Sequence, residues 1–209
     1  MIASTCAFPR HLLALTGPSG VGKTTISQRL IDTIADYVQK PLIITTRLPS
    51  RYDDGEYHYV TTEKFLELKK SGELAADTML PPQNEQRRYG YRIKDLEVIW
   101  QRKRIPIVIT EMHLLQGFIV RYGRNSIFSC GLLPPGESKE AMLSVLLDRL
   151  HLRNRDSRQS IRGRIGNAEH DLLFFNNRAD LFDHILVNDD IDSIVSILAK
   201  YVIRAVEGS

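Results

Sequence analysis

Gly17-Pro18-Ser19-Gly20-Val21-Gly22-Lys23-Thr24 fits the pattern G-x-x-x-x-G-K-[ST], and its flanks decide what the fit means. Before it, His11-Leu12-Leu13-Ala14-Leu15 is a short apolar run with the length of a buried strand. After it, Thr24-Thr25-Ile26-Ser27-Gln28-Arg29-Leu30-Ile31 opens an amphipathic helix. A strand that turns through glycines into a helix N-terminus gathers backbone N–H groups and the positive end of a helix dipole at one point. Glycines let that backbone curl around a phosphate with no Cβ in the way. Lys23 can then reach the β- and γ-phosphates of a nucleoside triphosphate, and the Thr24 hydroxyl can ligate Mg²⁺.

The rest of the chain alternates in the same manner. Apolar strand-like runs are Pro41–Thr46, Tyr57–Val60, Ile105–Thr110, Ser126–Leu133 and His184–Val187. Helical periods cover Glu63–Lys70, with Thr62 as its cap, then Asp95–Lys103, Glu137–Leu152, Ser160–Asn177 and Ile191–Ala205. Glu73–Thr78 and Tyr89–Ile93 read as strands of a small sheet, with an exposed loop between them carrying Pro81-Pro82 and Arg87-Arg88. Arg153–Gln159 reads as a charged helix junction. Strands separated by helices predict an α/β fold, a parallel sheet covered on both faces, with the phosphate loop at its carboxyl edge.

Bulk properties narrow the function classes. A length of 209 residues suits one domain with inserted lobes, and 43% hydrophobic with 25% charged residues is ordinary for a globular chain. The net charge of +3 gives no argument for a nucleic-acid partner. No apolar run approaches a membrane span, and the first ten residues do not read as a signal peptide. The 2 cysteines, Cys6 and Cys130, form no C-x-x-C pair and are expected to be ordinary thiols of a reducing cytosol. A cytoplasmic protein is therefore expected; a homodimer stays open.

At this point the chain resembles the guanylate kinase family over nearly its whole length. Gly17–Lys23 is similar to that family's nucleotide loop. Thr45-Thr46-Arg47 followed by Asp54-Gly55-Glu56-Tyr57-His58-Tyr59-Val60 is similar to its acceptor-lobe signature. Tyr89-Gly90 resembles its Tyr-Tyr-Gly element, and Leu133-Pro134-Pro135 the strand end before its lid. Asp156-Ser157 with Ser160-Ile161 and Arg164 resembles its lid-to-helix junction, and Val187-Asn188-Asp189-Asp190 matches its Val-Asn-Asp-Asp element. The resemblance implies a P-loop kinase fold of one domain: a core over 8–46, 94–148 and 178–209, a small mixed β/α acceptor lobe over 47–93 and a helical lid over 149–177.

It also implies phosphoryl transfer from ATP with Mg²⁺ to a phosphorylated acceptor, GMP or dGMP first. Gly17, Ser19, Gly20, Val21, Gly22, Lys23, Thr24 and Thr25 would hold ATP, with Thr24 on the metal and Asn188 at the adenine. Arg47, Arg51, Tyr57 and Tyr89 would hold the acceptor phosphate, although the loop before Arg51 is shorter than the family's. Lys23, Arg47, Arg153 and Arg164 would carry the catalytic charge, Arg149 resembling a further lid arginine. Arg155, Arg158 and Arg162 add positive charge nearby, and Arg155 and Arg158 read as solvated neighbours.

The base site departs from the family. Ala76 stands where a guanine-reading Glu is expected, and Asp77 is the candidate to replace it. Ile43 falls on a small hydroxyl residue, Tyr91 on a Ser or Thr, and His113 on an Asp, with Glu111 the available acid. Two alternatives follow. One is a kinase for another acceptor, such as a different nucleoside monophosphate or ribose 1,5-bisphosphate. The other is a non-catalytic binding module, against which the intact Lys23 and Thr24 argue.

Overall fold

In strand β1, Leu12–Thr16, all five residues are buried. A run this apolar can only sit where both sheet faces are covered. A computed structural model, describing residues 11–53, 55–80, 87–154 and 156–207, puts β1 at the centre of a five-stranded parallel sheet. Its order is β2 (Val38–Gln39), β7 (Ile105–Thr110), β1, β8 (Ile127–Leu133) and β9 (His184–Val187). Alternation along β1 sends Leu13 and Leu15 to one face and Leu12 and Ala14 to the other. The first face is covered by α1 (Lys23–Ile34) through Ile26 and Leu30, and by α7 (Ile191–Glu207) through Ile194, Leu198 and Val202. The second is covered by Leu96 and Trp100 of α3 (Ile93–Gln101), by Leu115 and Phe118 of α4 (Met112–Tyr122), and by Phe174 and Phe175.

A second, four-stranded sheet has the order β4 (Tyr57–Tyr59), β3 (Ile43–Thr45), β6 (Arg87–Arg92), β5 (Leu74–Leu80). Helix α2 (Thr62–Lys70) covers one face, where Ile44, Phe65, Leu68 and Leu74 form a small core. The other face presents Ile43, Ala76 and Tyr91, which join the main core. Tyr91 is 1% exposed; its hydroxyl donates to the Ile109 carbonyl at 2.9 Å and accepts from the Ile109 N–H at 3.0 Å. Strand β2 pairs only with residues 105 and 106 of β7, so the phenol takes up backbone groups that the short edge strand does not reach. One side chain thereby fastens the small sheet to the core. The third part is a helix pair, α5 (Lys139–Leu152) and α6 (Arg158–Asn177), with Ser138 and Ser157 as N-caps.

Several expectations are corrected. Residues read as a core strand, Pro41–Thr46, supply β3 to the small sheet, so that sheet begins before Arg47. Arg87 and Arg88 lie in β6 rather than in a loop, because β5 and β6 pair out to Leu80 and Arg87; residues 81–86 lie outside the described residues, as do Cys6 and Arg155. Thr61, not Thr62, caps α2, its side chain accepting from the Lys64 N–H. Helix α4 was not delimited by the sequence pattern; its Met-His-Leu-Leu start lacks a Ser or Thr cap, and Glu111 fills that place. No described helix is long and apolar enough to cross a membrane.

Replacing Tyr91 by Phe leaves both Ile109 backbone groups buried without a partner. Urea denaturation should show a loss of about 2 kcal/mol; an unchanged midpoint would mean that the hydroxyl does not fasten the two sheets.

Candidate active site

The loop after β1 is shaped by close approach. A Cβ on Gly17 would lie 2.5 Å from the Leu132 carbonyl oxygen of β8. Gly22 is the N-cap of α1 at φ 108°, a left-handed conformation suited to glycine, and a side chain there would strike the Asn188 amide. No acidic residue sits in the first turn of α1, so its N-terminal field is unopposed. The Lys23 ammonium folds back over the loop and donates to the Gly17 carbonyl and, at 3.0 Å, to the Pro18 carbonyl. Burial lowers its pKa to about 8; Asp171 and Glu111 oppose that shift, while Arg153 and Arg164 add to it. Thr24 and Thr25 are exposed on the first turn beside it.

Three elements hold this loop from outside. Asn188 follows β9, is 3% exposed and donates its Nδ2 to the Val21 carbonyl at 2.6 Å. Arg149 of α5 donates to the Asn188 carbonyl at 2.8 Å and to Val21 O at 3.5 Å. Arg164 of α6 reaches Ser19 Oγ at 2.6 Å and is paired with Asp156 at 3.1 Å. Asp190, not Asn188, supports the start of α7, accepting from the Asp192 N–H at 3.1 Å and from the Ser193 hydroxyl. Asn188 Oδ1 is buried with no hydrogen-bond partner among the described residues.

A cleft of about 270 Å³ opens here, lined by Gly20, Gly22, Thr25, Arg149, Arg153 and Asn188. Its chemistry fits ATP. The orphaned Oδ1 can accept from an exocyclic amine, and the glycine amides and the two arginines suit phosphates. The exposed Thr24 hydroxyl suits Mg²⁺, which takes few protein ligands and keeps several waters. Asp171, on the same face of α6 as Arg164, is buried enough to raise its carboxyl to about 6, with Lys23 pulling the other way. Arg158 and Arg162 line a separate groove with Leu147 and Ile161, away from the loop.

The acceptor side is built on the small sheet. Tyr57, Tyr59 and Tyr89 share the face that carries Ile43, Thr45 and Tyr91, by the register Ile43↔Tyr57, Thr45↔Tyr59 and Thr45↔Tyr89. The Arg47 guanidinium lies 4.6 Å from the Tyr57 ring centroid and 5.8 Å from that of Tyr59. Burial pushes the Tyr57 phenol above its ordinary range, so it is a neutral donor at physiological pH. Asp53 accepts from Arg47 Nη2 at 2.6 Å and from the Ser50 N–H at 2.6 Å, and Tyr59 donates to it as well.

Other expected residues stand apart from this cluster. Arg51 is exposed and stacks on Tyr52, 4.7 Å from the ring centroid. Asp77 lies on the opposite face of β5, paired with Lys69 of α2 at 2.7 Å. Glu111 spends its carboxylate capping α4, accepting from the His113 and Leu114 N–H groups at 2.9 Å each, with its charge felt at Lys23. His113 is exposed. Ala76 is 5% exposed and its Cβ would be 3.1 Å from one added to Gly117 of α4. Sequence reading passed over Asp53, Tyr59 and Asp171. Tyr59 shares a strand face with Tyr57, and Asp171 lies seven residues after Arg164, so those two were recoverable from periodicity; Asp53 is placed by a loop and was not.

The profile of the guanylate kinase family matches residues 9–121. A guanylate kinase of Rhodopseudomonas palustris is 31% identical over 193 residues, 90% of this chain and 80% of that protein. The chain belongs to the guanylate kinase family. A guanylate kinase of Wolbachia pipientis is 29% identical over 199 residues, covering 88% of this chain and 85% of its own. The fold is shared with the crystal structure of guanylate kinase from Anaplasma phagocytophilum, at a TM-score of 0.67 and 19% identity over 92% of this chain and 84% of that one. This family member is a phosphotransferase of the nucleoside monophosphate kinase type.

Because kcat/KM reports the free enzyme, its value for ATP should fall as pH rises through about 8, where Lys23 loses its charge. Lys23→Arg, slower throughout, should lack that alkaline limb, since a guanidinium does not deprotonate. Lys23→Ala should lose on the order of 10²-fold in turnover with little change in melting temperature. A wild-type profile flat to pH 9.5 would show that Lys23 keeps its charge to that pH, and near-normal turnover in Lys23→Ala would remove it from phosphate binding.

Proposed function

We propose that the chain transfers the γ-phosphoryl group of ATP to the phosphate of a small acceptor, with GMP or dGMP the first candidate. The observation that carries this reading is the gathering of Arg47, Tyr57 and Tyr89 on the face of the small sheet whose Tyr91 is tied to the end of β7, one residue pair from Glu111 and the Lys23 loop. The names of the relatives support GMP as the candidate.

Phosphoryl transfer needs positioning and charge neutralisation more than covalent help. Lys23 turns from its own loop carbonyls to the β- and γ-phosphates, exchanging two neutral acceptors for anionic ones. Arg149, Arg153 and Arg164 neutralise charge from the lid side while α5 and α6 exclude water. Arg47 and the hydroxyls of Tyr57 and Tyr89 hold the acceptor phosphate. The Thr24 hydroxyl would hold Mg²⁺, which would supply positive charge against that of the phosphates.

A second reading concerns the acceptor's body. Ala76 and Tyr91 are buried in the main core with Ile43 packed against it, and the Tyr91 hydroxyl is already used, so none of the three offers a polar group to a guanine edge. This favours an acceptor chosen by its phosphate, which admits another nucleoside monophosphate or ribose 1,5-bisphosphate. The test is kcat/KM for GMP, dGMP, AMP, IMP and ribose 1,5-bisphosphate under one condition. GMP should gain about 1–2 kcal/mol over AMP or IMP, against the factor of 10⁴–10⁵ that a full polar site supplies. Asp77→Ala, facing Lys69, should leave GMP use unchanged. No transfer to any of the five would overturn the proposed reaction, and a GMP preference above about 10⁴ would overturn the second reading alone.

A further inference from the structure

Asp53 is the best-connected carboxylate of the small sheet's loop, and no step above uses it. Its Oδ1 faces Arg47 Nη2 at 2.6 Å, and its Oδ2 accepts from the Ser50 N–H at 2.6 Å and from the Tyr59 hydroxyl. Arg47 and Asp53 are each 17% exposed at the side chain. The guanidinium is bounded on its flat face by Tyr57 at 4.6 Å and Tyr59 at 5.8 Å. Its Nη1 donates weakly to the Leu48 carbonyl at 3.3 Å, and its Nε makes no hydrogen bond among the described residues. Nη2, which also lies 3.4 Å from the Tyr59 hydroxyl, is therefore clamped, and Nε remains available.

We infer that Asp53 is a positioning residue for the acceptor phosphate: it fixes the Arg47 guanidinium against the neighbouring Tyr57 and Tyr59 rings so that its Nε meets the phosphate without a search through rotamers. An unrestrained arginine loses its rotamer freedom on binding, whereas a clamped one has lost it already. Asp53 is suited to the task because two of its three donors belong to its own surroundings, Ser50 and Tyr59, so it stays in place whatever Arg47 does. Burial works against its charge, but the bonds from Tyr59, Arg47 and Ser50 outweigh that and hold its carboxyl below the usual range. The opposite role, a stand-in for phosphate that the acceptor must displace, would leave this enclosed carboxylate without its cation when substrate binds, which is costly.

The inference rests on the reading of Arg47 as the acceptor-phosphate group, and the experiment separates the two. Asp53→Asn, Arg47→Ala and the double variant are assayed with ATP and whichever of GMP, AMP, IMP and ribose 1,5-bisphosphate the wild type phosphorylates fastest. Asp53→Asn should raise the acceptor KM about fivefold to tenfold, the cost of immobilising one long side chain, with kcat and the KM for ATP within twofold. In the Arg47→Ala background the same change should have no further effect on kcat/KM, because its partner is gone. Tyr59→Phe should give a smaller rise of the same kind. An acceptor KM that falls or stays constant in Asp53→Asn, or effects that multiply in the double variant, would overturn the positioning role. An Arg47→Ala enzyme with wild-type acceptor KM would overturn the reading of Arg47 instead.

Discussion

The structure depends on one enclosed cation. Lys23 begins the helix that follows a left-handed Gly22, and its ammonium sits inside the turn whose carbonyls it touches. A buried ammonium is costly unless partners surround it, and burial lowers the Lys23 pKa accordingly. Everything that meets the loop is arranged around this group: the central strand before it, the Asn188 amide on Val21, the α5 and α6 arginines beside it, and the Asp171 and Glu111 charges that oppose its desolvation. Without phosphate, neutral backbone oxygens supply only part of what the charge needs.

The acceptor side shows a different economy of groups. The face of the small sheet places Arg47 against Tyr57 and Tyr59 at its β4 edge, while Ile43, Ala76 and Tyr91 of the inner strands and β5 pack into the main core. Tyr91 makes that packing solid, because its hydroxyl completes the backbone of β7 and its ring lies 5.5 Å from that of Phe118. Any polar atom of an acceptor directed there would find no partner, at a cost of about 1–3 kcal/mol per group.

Much of this was legible in the chain. The Gly17–Thr24 loop with its flanks announced strand, turn and helix, because the glycines have no other role in such a place and the apolar run before them is uninterrupted. The parallel core followed from strands such as Ile105–Thr110 and Ser126–Leu133 alternating with helical periods. The allocation of β3 was not legible: Pro41–Thr46 is as apolar as a core strand, and only its pairing with Gly90 and Tyr57 shows that it belongs to the small sheet. The roles of Asp77 and Asn188 were set by facing. A β-strand alternates faces with every residue, so a carboxylate one position from Ala76 turns to Lys69 and away from the cleft. Asn188 could have capped α7, but Asp190 does so, leaving the amide to hold the loop.

The central claim is that the segment 149–177, from the last turn of α5 through α6, and the Lys23 loop close together around a transferring phosphate. Hydrogen exchange followed by mass spectrometry, with and without a saturating adenosine–guanosine pentaphosphate, tests it most directly. The account predicts slower exchange in 149–177 and in 17–25, stronger with the linked analogue than with ATP alone, and lost in both segments in Lys23→Ala. Exchange unchanged in 149–177 while 17–25 is protected would contradict it, showing a loop that binds phosphate under helices that do not close.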